Sequence, residues 1–149
     1  QMGNDQQALQ LIETFSDHRG TAWEGHFIKG WALRVAGRFE DAAASFVRCL
    51  ELGEKNADIY NELSVCMSAQ GHDELAKDYL DIALELEPEN VKLLTNLAYL
   101  CLKEEQYNQV HELLLRAQAI DEDDPMVKHL QQELAKRNGE EDSDDVIDG

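Results

Sequence analysis

Apolar residues recur at helical spacing along most of this chain. Between Ala22 and Asn138 they follow one another at intervals of three and four residues, and no segment sustains the alternation of two that a strand requires. Proline, which interrupts helices, occurs only at Pro88 and Pro125. The pattern therefore predicts an all-α chain.

The helical pattern also repeats with a fixed period. In residues 57–90 a large residue, Tyr60, is followed by Leu63, by Gly71 at a tight turn, and by the small residue Ala76. Small residues let two antiparallel helices approach closely, and glycine accepts the positive φ of the turn. Residues of the same kinds stand 34 positions away on either side: Gly30, Leu33, Gly37, Phe39, Ala42, Phe46, Cys49 and Leu52 upstream, and Leu94, Leu97, Ala98, Cys101, Tyr107, Leu114, Ala117 and Ile120 downstream. Helical hairpins of one kind are therefore expected to stack.

This repeat resembles the tetratricopeptide repeat, in which each 34-residue unit is a helical hairpin. The resemblance covers three full repeats, at residues 23–56, 57–90 and 91–124, and half a repeat at residues 4–18. It implies a right-handed α-α superhelix of about eight antiparallel-paired helices. The hairpins stack because none of them can bury its apolar face alone.

The pattern changes after residue 124. Pro125 suits a first helical turn and the apolar residues at 127, 130 and 134 form one stripe, so residues 125–138 are expected to form a capping helix. This helix ends a predicted repeat domain of residues 1–138. Residues 139–149 contain six acidic residues and no Lys or Arg, and they offer too little apolar area to offset the entropy of ordering. We expect this acidic tail to be disordered.

The charge of the chain limits its partners. The chain has 31 Asp and Glu against 13 Lys and Arg, a formal net charge of −18 at pH 7. Such a surface repels phosphate backbones, so nucleic acid is not an expected partner, and no apolar run approaches the roughly 18 residues of a membrane span, so membrane insertion is not expected. Three cysteines, an odd number without metal-ligand spacing, fit a reducing cytoplasm. Because the sequence starts with Gln1, we expect that it lacks upstream residues.

The sequence contains no arrangement typical of catalysis or metal binding. The five histidines are scattered and lack the paired helical spacing of a zinc hydrolase. Cys49, Cys66 and Cys101 fall at places where the repeats pack small or apolar side chains, and the glycines are isolated rather than grouped in a phosphate-binding loop. We expect no catalytic residue, no metal site and no cofactor, and therefore a protein that is not an enzyme.

The informative surface is a second face of the first helix in each repeat. Places 4, 7, 8 and 11 of that helix face the core, so places 2, 5, 6, 9, 12 and 13 share another face. In the tetratricopeptide family this face lines a concave groove, and the resemblance implies a partner-binding site there, with Phe27 and Trp31 as anchors. The candidate residues are Phe27, Ile28, Trp31, Arg34, Val35, Asn61, Val65, Lys92, Asn96, Tyr99, Leu102 and Lys103. Three acids and three bases make this face formally neutral, in contrast to the rest of the chain.

The predicted groove indicates a protein-interaction scaffold that binds a peptide or helix of a partner. The sequence does not decide between two roles for the apolar end of the groove. It either binds a partner, or it is covered by the amino-terminal helix, by upstream sequence or by a second copy in a homodimer. Two other functions also stay open: a small acidic secretion-type chaperone for hydrophobic substrates, and a non-catalytic region of a larger protein that mediates self-association. The clamp that holds acidic chaperone tails in some members of the family is not expected. Its places hold Phe27, Trp31, Glu62, Lys92 and Asn96, and only Lys92 matches.

Overall fold

The computed structural model describes the backbone of residues 23–147 and the side chains of residues 23–139. Within that range the chain is helical and has no strand, which confirms the predicted all-α class. The helix predicted at residues 4–18 lies outside the described residues. Seven helices are described: α1 (Trp23–Val35), α2 (Phe39–Glu51), α3 (Ala57–Ala69), α4 (Asp73–Leu86), α5 (Val91–Lys103), α6 (Tyr107–Ile120) and α7 (Pro125–Ile147).

The chain divides into two compact units between Leu86 and Glu87. The first unit contains α1 to α4, in which α1 packs against α2, α3 packs against α4, and α3 also contacts both helices of the first hairpin. The second unit contains α5 to α7, in which α5 packs against α6 and α7 lies against both. Both units are thus built from antiparallel helical hairpins.

The hairpins follow the constant period that the sequence predicts. Their first helices begin at Trp23, Ala57 and Val91, and each of these residues stands one repeat period after the one before it. Their second helices begin at residues 39, 73 and 107, which are spaced by the same period. Each helix of a hairpin therefore starts at the same place of its repeat.

The turn within each hairpin has the same backbone conformation. Gly37 and Gly71 have φ angles of 80° and 84°, as the sequence predicts, and Glu105 occupies the same place of the third hairpin with a φ of 60°. The N–H of the residue after each turn position donates to a carbonyl near the end of the first helix: Arg38 to Leu33 (2.8 Å), His72 to Met67 (2.9 Å) and Gln106 to Cys101 (2.9 Å). This bond closes the first helix in the way that a left-handed residue at its carboxyl end permits.

Polar caps start the helix that follows each hairpin. Asn56, Asn90 and Asp124 occupy the same place in successive repeats, at the residue before α3, α5 and α7. Their Oδ1 atoms accept from the backbone N–H groups of Ile59 (3.0 Å), of Lys92 and Leu93 (3.1 and 3.4 Å), and of Met126 and Val127 (3.0 Å each). Each cap satisfies donors that have no partner within the helix, and so fixes the residue at which the helix begins.

The residues predicted at the helix crossings are buried. The small residues Ala42, Ala76, Ala83 and Ala117 have no exposed surface, and the larger Phe46, Leu80 and Leu114 beside them are wholly or almost wholly buried. Small side chains bring the helix axes close together, and the larger ones fill the space on either side.

Gly30 lies at a close approach between α1 and α2. A Cβ atom at this position would stand 2.9 Å from two carbons of the Phe46 ring. That ring is wholly buried, and Phe27 packs against it edge to face with the centroids 5.6 Å apart. The ring therefore has no room to withdraw, which explains why a glycine stands in the middle of a helix.

The last helix is longer than the sequence indicates. Its buried stripe is the predicted one, Val127, Leu130 and Leu134, but the helix continues past residue 138 to Ile147. Residues 139–147 are therefore helical rather than disordered, and residues 148–149 lie outside the described range. The prediction of disorder considered only the apolar area of this segment. A helix that is already nucleated by packed turns propagates at little cost, because each added residue gains a backbone hydrogen bond.

Candidate functional site

An apolar stripe is exposed on α1. Ile28, Trp31 and Val35 stand at i, i+3 and i+7 and share one face of the helix. They are 40%, 49% and 60% exposed, respectively. These three residues, called the α1 stripe below, are large apolar side chains next to one another on the surface of the first unit. Such clusters are typical of interaction sites.

Phe27 has a different environment from the α1 stripe. It is partly buried and packs against the core of the first unit. Its ring lies edge to face with those of Phe46 and Trp23, with centroids 5.6 and 6.2 Å away. Phe27 therefore fastens α1 to α2, and it is less suited than Trp31 to anchor a partner.

Arg34 is paired within the protein. Its guanidinium contacts the carboxylate of Glu62 in α3, and the two side chains are 26% and 10% exposed. The neighbouring Asn61 is buried and Val65 is partly buried. The contact of α3 with α1 thus removes part of the predicted face from solvent. Glu62 also neutralises the positive charge of Arg34, which the sequence predicts to contact a ligand. The sequence contains a signal for this ion pair, because Arg34 and Glu62 have opposite charges and lie on the first helices of two successive repeats.

The predicted groove residues of the second unit also include both exposed and buried side chains. Tyr99 is exposed and the Nζ atom of Lys103 lies 5.8 Å from its ring centroid, which is a cation-π contact. Lys92 is exposed and Asn96 is partly buried, whereas Leu102 is buried. Tyr99, Lys103 and Lys92 are therefore the members of this group that a partner can reach best.

The three cysteines are buried free thiols. Burial raises the pKa of Cys49 and of Cys66 to about 11. The Sγ atom of Cys49 donates to the Trp23 carbonyl at 3.3 Å, and that of Cys101 donates to Gln109 Oε1 at 3.5 Å. Thiols in such surroundings pack as small apolar groups.

Two further kinds of site are absent from the described part of the chain. None of the helices in that part is both long enough and apolar enough to cross a bilayer. Among the same residues, no group of three or more His, Cys, Asp or Glu side chains is arranged to hold a metal ion.

Part of the sequence matches a known family. Residues 76–134 match the sequence model of a family described as tetratricopeptide repeat. The matched range runs from Ala76 in α4 to Leu134 in α7. No curated protein sequence matches the chain.

Solved structures with the same fold include several repeat proteins of this kind. A tetratricopeptide repeat protein from Parabacteroides merdae matches with a TM-score of 0.81 at 17% identity, over 95% of this chain and 56% of that one. The first repeat domain of Spaghetti, bound to the HSP90 peptide SRMEEVD, matches with a TM-score of 0.73 at 8% identity, over 78% of this chain and 93% of that one. The type III secretion chaperone SycD of Yersinia enterocolitica, in complex with a peptide of the translocator YopD, matches with a TM-score of 0.65 at 18% identity, over 76% of this chain and 86% of that one. These similarities establish a shared fold.

Proposed function

We propose that this chain, in which residues 76–134 match the tetratricopeptide repeat family, is a protein-interaction module that binds a segment of a partner polypeptide on the α1 stripe. The observation that carries this proposal is the exposure of Ile28, Trp31 and Val35 side by side on one face. Tryptophan is enriched among the residues that dominate binding energy, since it buries a large apolar area with little loss of side-chain entropy. Trp31 is the proposed anchor.

The charges around the α1 stripe indicate the chemistry of the partner. Arg34 beside the stripe is neutralised by Glu62, so the stripe itself attracts neither sign strongly. The chain as a whole carries a formal charge of −18. An apolar segment flanked by basic residues fits both features, because long-range attraction speeds its approach while apolar contacts hold it.

A second contact surface is proposed on the second unit. Tyr99 offers an exposed aromatic ring, and Lys92 and Lys103 add positive charge on the same helix. This surface fits an acidic or aromatic group of a partner, because a lysine ammonium pairs with carboxylates and a tyrosine face stacks on other rings. The role proposed for both units is non-catalytic, and the proposed location is the cytoplasm.

A secretion-type chaperone is the second candidate function. The chaperone SycD, which has the same fold, was solved with a translocator peptide. An exposed apolar stripe on an acidic helical protein fits the same task of shielding hydrophobic segments. Self-association through the α1 stripe is the third candidate, since two copies facing each other there would cover the same apolar area.

A site-specific crosslinking experiment separates these functions. A photoreactive phenylalanine replaces Trp31 in one protein and Leu75 in a control. Leu75 is a comparably exposed apolar residue on α4 of the same unit. We expect crosslinks to a distinct polypeptide from position 31 and none from position 75. Crosslinks only between copies of this chain would favour self-association. Equal crosslinking from both positions would contradict the proposed site.

A further inference from the structure

The second hairpin closes the space between its helices with two tyrosines. Tyr60 of α3 and Tyr79 of α4 lie with their ring centroids 6.3 Å apart. Leu63 is wholly buried in the same core, against which Tyr79 packs. Aromatic and aliphatic side chains thus fill this side of the hairpin.

The first hairpin has smaller and more polar residues at the same three places. The equivalent positions of the preceding repeat hold His26, Lys29 and Ser45. A histidine and a serine do not fill the volume of two tyrosines, and Lys29 is a partly buried charged residue at the place where the second hairpin buries a leucine. A cavity of about 410 Å³, open to solvent, lies here between α1 and α2. Its size lies in the range of about 300–1,000 Å³ that small-ligand sites have.

The lining of this cavity is basic in a strongly acidic protein. Lys29, Arg38 and Arg48 contribute three positive charges, and Asp41 is the one acidic side chain among the described residues that line it. Burial, and then the positive charges of Arg48 and Lys29, lower the pKa of His26, so its imidazole is neutral at pH 7. Asp41 pairs with Arg38 and Glu51 pairs with Arg48, so three positive charges less these two negative charges leave an excess of one, against −18 for the whole chain.

The two arginines are more than half exposed, and each forms an ion pair with a carboxylate three residues further along the chain. Arg38 donates from Nη2 and Nε to Asp41 Oδ2 at 2.8 and 3.1 Å, and Arg48 donates from Nη1 to Glu51 Oε2 at 2.9 Å. These bonds orient the guanidinium groups and use only some of the five donors that each one has. A ligand carboxylate brings a single negative charge and two acceptor oxygens, and the repulsion from Asp41 and Glu51 acts on any anionic ligand. A phosphoryl group brings a charge of about −1.5 to −2 and three acceptor oxygens, so it gains more from the same donors.

We propose that the cavity between α1 and α2 is a binding site for one dianionic phosphoryl group, with Lys29, Arg38 and Arg48 as its cationic contacts. The neutral imidazole of His26 and the hydroxyl of Ser45 provide further hydrogen-bonding groups in the lining. A polyanion such as nucleic acid does not fit, because its other phosphates would meet the repulsion of the acidic surface.

The phosphoryl site is independent of the proposed partner-binding site. Successive residues of a helix are rotated by about 100°, which puts residues 26, 29 and 33 on the face of α1 opposite to residues 28, 31 and 35. The cavity therefore opens away from the α1 stripe. A negative binding result for one of the two sites therefore does not contradict the proposal for the other site.

The proposal is tested by refilling the cavity with the residues of the second hairpin. The triple variant His26→Tyr, Lys29→Leu, Ser45→Tyr restores a packing that the same fold already accommodates in the next repeat. The probes are a short neutral peptide that contains phosphoserine, the same peptide with serine or glutamate, and inorganic phosphate. Binding is followed by ¹⁵N chemical shifts at constant ionic strength. We expect saturable binding of the phosphoserine peptide with shifts confined to α1 and α2, and a loss of at least about tenfold in affinity in the triple variant.

Control variants keep this test decisive. Lys92→Met removes one positive charge from the other unit and is expected to change the affinity by less than about twofold. Retained melting temperature in the triple variant shows that it still folds, and Arg48→Gln provides a second variant if it does not. Tighter binding of the phosphopeptide than of inorganic phosphate assigns the site to a modified polypeptide, and equal binding assigns it to free phosphate compounds. The absence of saturable phosphate or phosphopeptide binding below about 10 mM, or equal binding of the glutamate peptide, would overturn the proposal.

Discussion

Arg34 of α1 and Glu62 of α3 form an ion pair that joins the first helices of two successive hairpins. Both side chains are largely withdrawn from solvent, so each charge depends on the other for compensation. The pair lies next to the α1 stripe, and it makes the surroundings of the stripe neutral. It therefore serves the packing of the hairpins and also removes a charge that an apolar partner segment would have to desolvate.

Removal of one member of this pair is expected to destabilise the protein. Arg34→Met leaves the carboxylate of Glu62 without its partner, and we expect a loss of about 1–3 kcal/mol in the free energy of unfolding. The double variant Arg34→Met, Glu62→Leu is expected to recover most of this loss, because no unpaired charge stays buried. Urea denaturation followed by circular dichroism measures all three proteins. Additive losses in the double variant would contradict the pairing.

The close approach at Gly30 makes this position intolerant of a methyl group. Gly30→Ala places a Cβ atom 2.9 Å from the buried ring of Phe46. We expect a loss of about 1–3 kcal/mol in spite of the better helix propensity of alanine. The control is Gly139→Ala, also in a helix, where a Cβ atom meets nothing within 4 Å. That variant is expected to gain up to about 1 kcal/mol. Similar thermal denaturation curves for the two variants would contradict this account of Gly30.

The turn of the third hairpin has a residue that does not suit its conformation. Glu105 has a φ of 60° where the first two hairpins have glycines at 80° and 84°. A left-handed conformation costs a non-glycine residue about 1–2 kcal/mol, part of which the entropy of glycine offsets. We expect Glu105→Gly to raise the free energy of unfolding by about 0.5–1 kcal/mol and the adjacent Glu104→Gly to lower it. Calorimetric melting checks both variants, and destabilisation by Glu105→Gly would show that this turn is not strained.

The buried thiols predict how stability depends on pH. Burial raises the pKa of Cys49 and Cys66 from 9.0 to about 11. The folded state thus holds these protons more tightly than the unfolded state, so this contribution to stability is complete below pH 9 and is lost as the pH rises through 11. The urea midpoint is expected to fall more steeply above pH 9 in the parent than in a variant with alanine at both positions.

The same two thiols are expected to react slowly in the folded protein. A rise in pKa from 9.0 to about 11 lowers the thiolate fraction about 100-fold at pH 8. Both thiols are also without exposed surface, so iodoacetamide should modify them far more slowly in the folded protein than in urea. Modification of the folded protein as fast as of the protein in urea would contradict their burial.

The helix boundaries could be predicted from the sequence because local chemistry sets them. Residues at turn and cap places, such as Gly71 and Asn90, act through their own backbone and recur at the same place of each repeat. The end of α7 could not be predicted in this way, because a helix that is nucleated by packing extends beyond its packed residues.

The candidate site could be predicted only in part. The apolar residues on one face of α1 follow from helical spacing alone, and Trp31 is exposed on that face. The burial of Asn61 and Leu102 depends on contacts between helices that are distant in sequence, and spacing along one helix does not report those contacts. The cavity beside Lys29 has a sequence signal, since polar residues there replace the apolar ones of the second hairpin. That signal appears only when the repeats are compared place by place.

Trp31→Glu, measured against Leu75→Glu, tests the central claim most directly. The dissociation constant of the polypeptide that crosslinks from position 31 is measured for the parent and for both variants. We expect Trp31→Glu to weaken binding at least about 30-fold, the effect of losing about 2 kcal/mol at a dominant contact, while Leu75→Glu changes it by less than about twofold. Equal affinities for the two variants, with both proteins still helical by circular dichroism, would contradict the claim that the α1 stripe binds the partner.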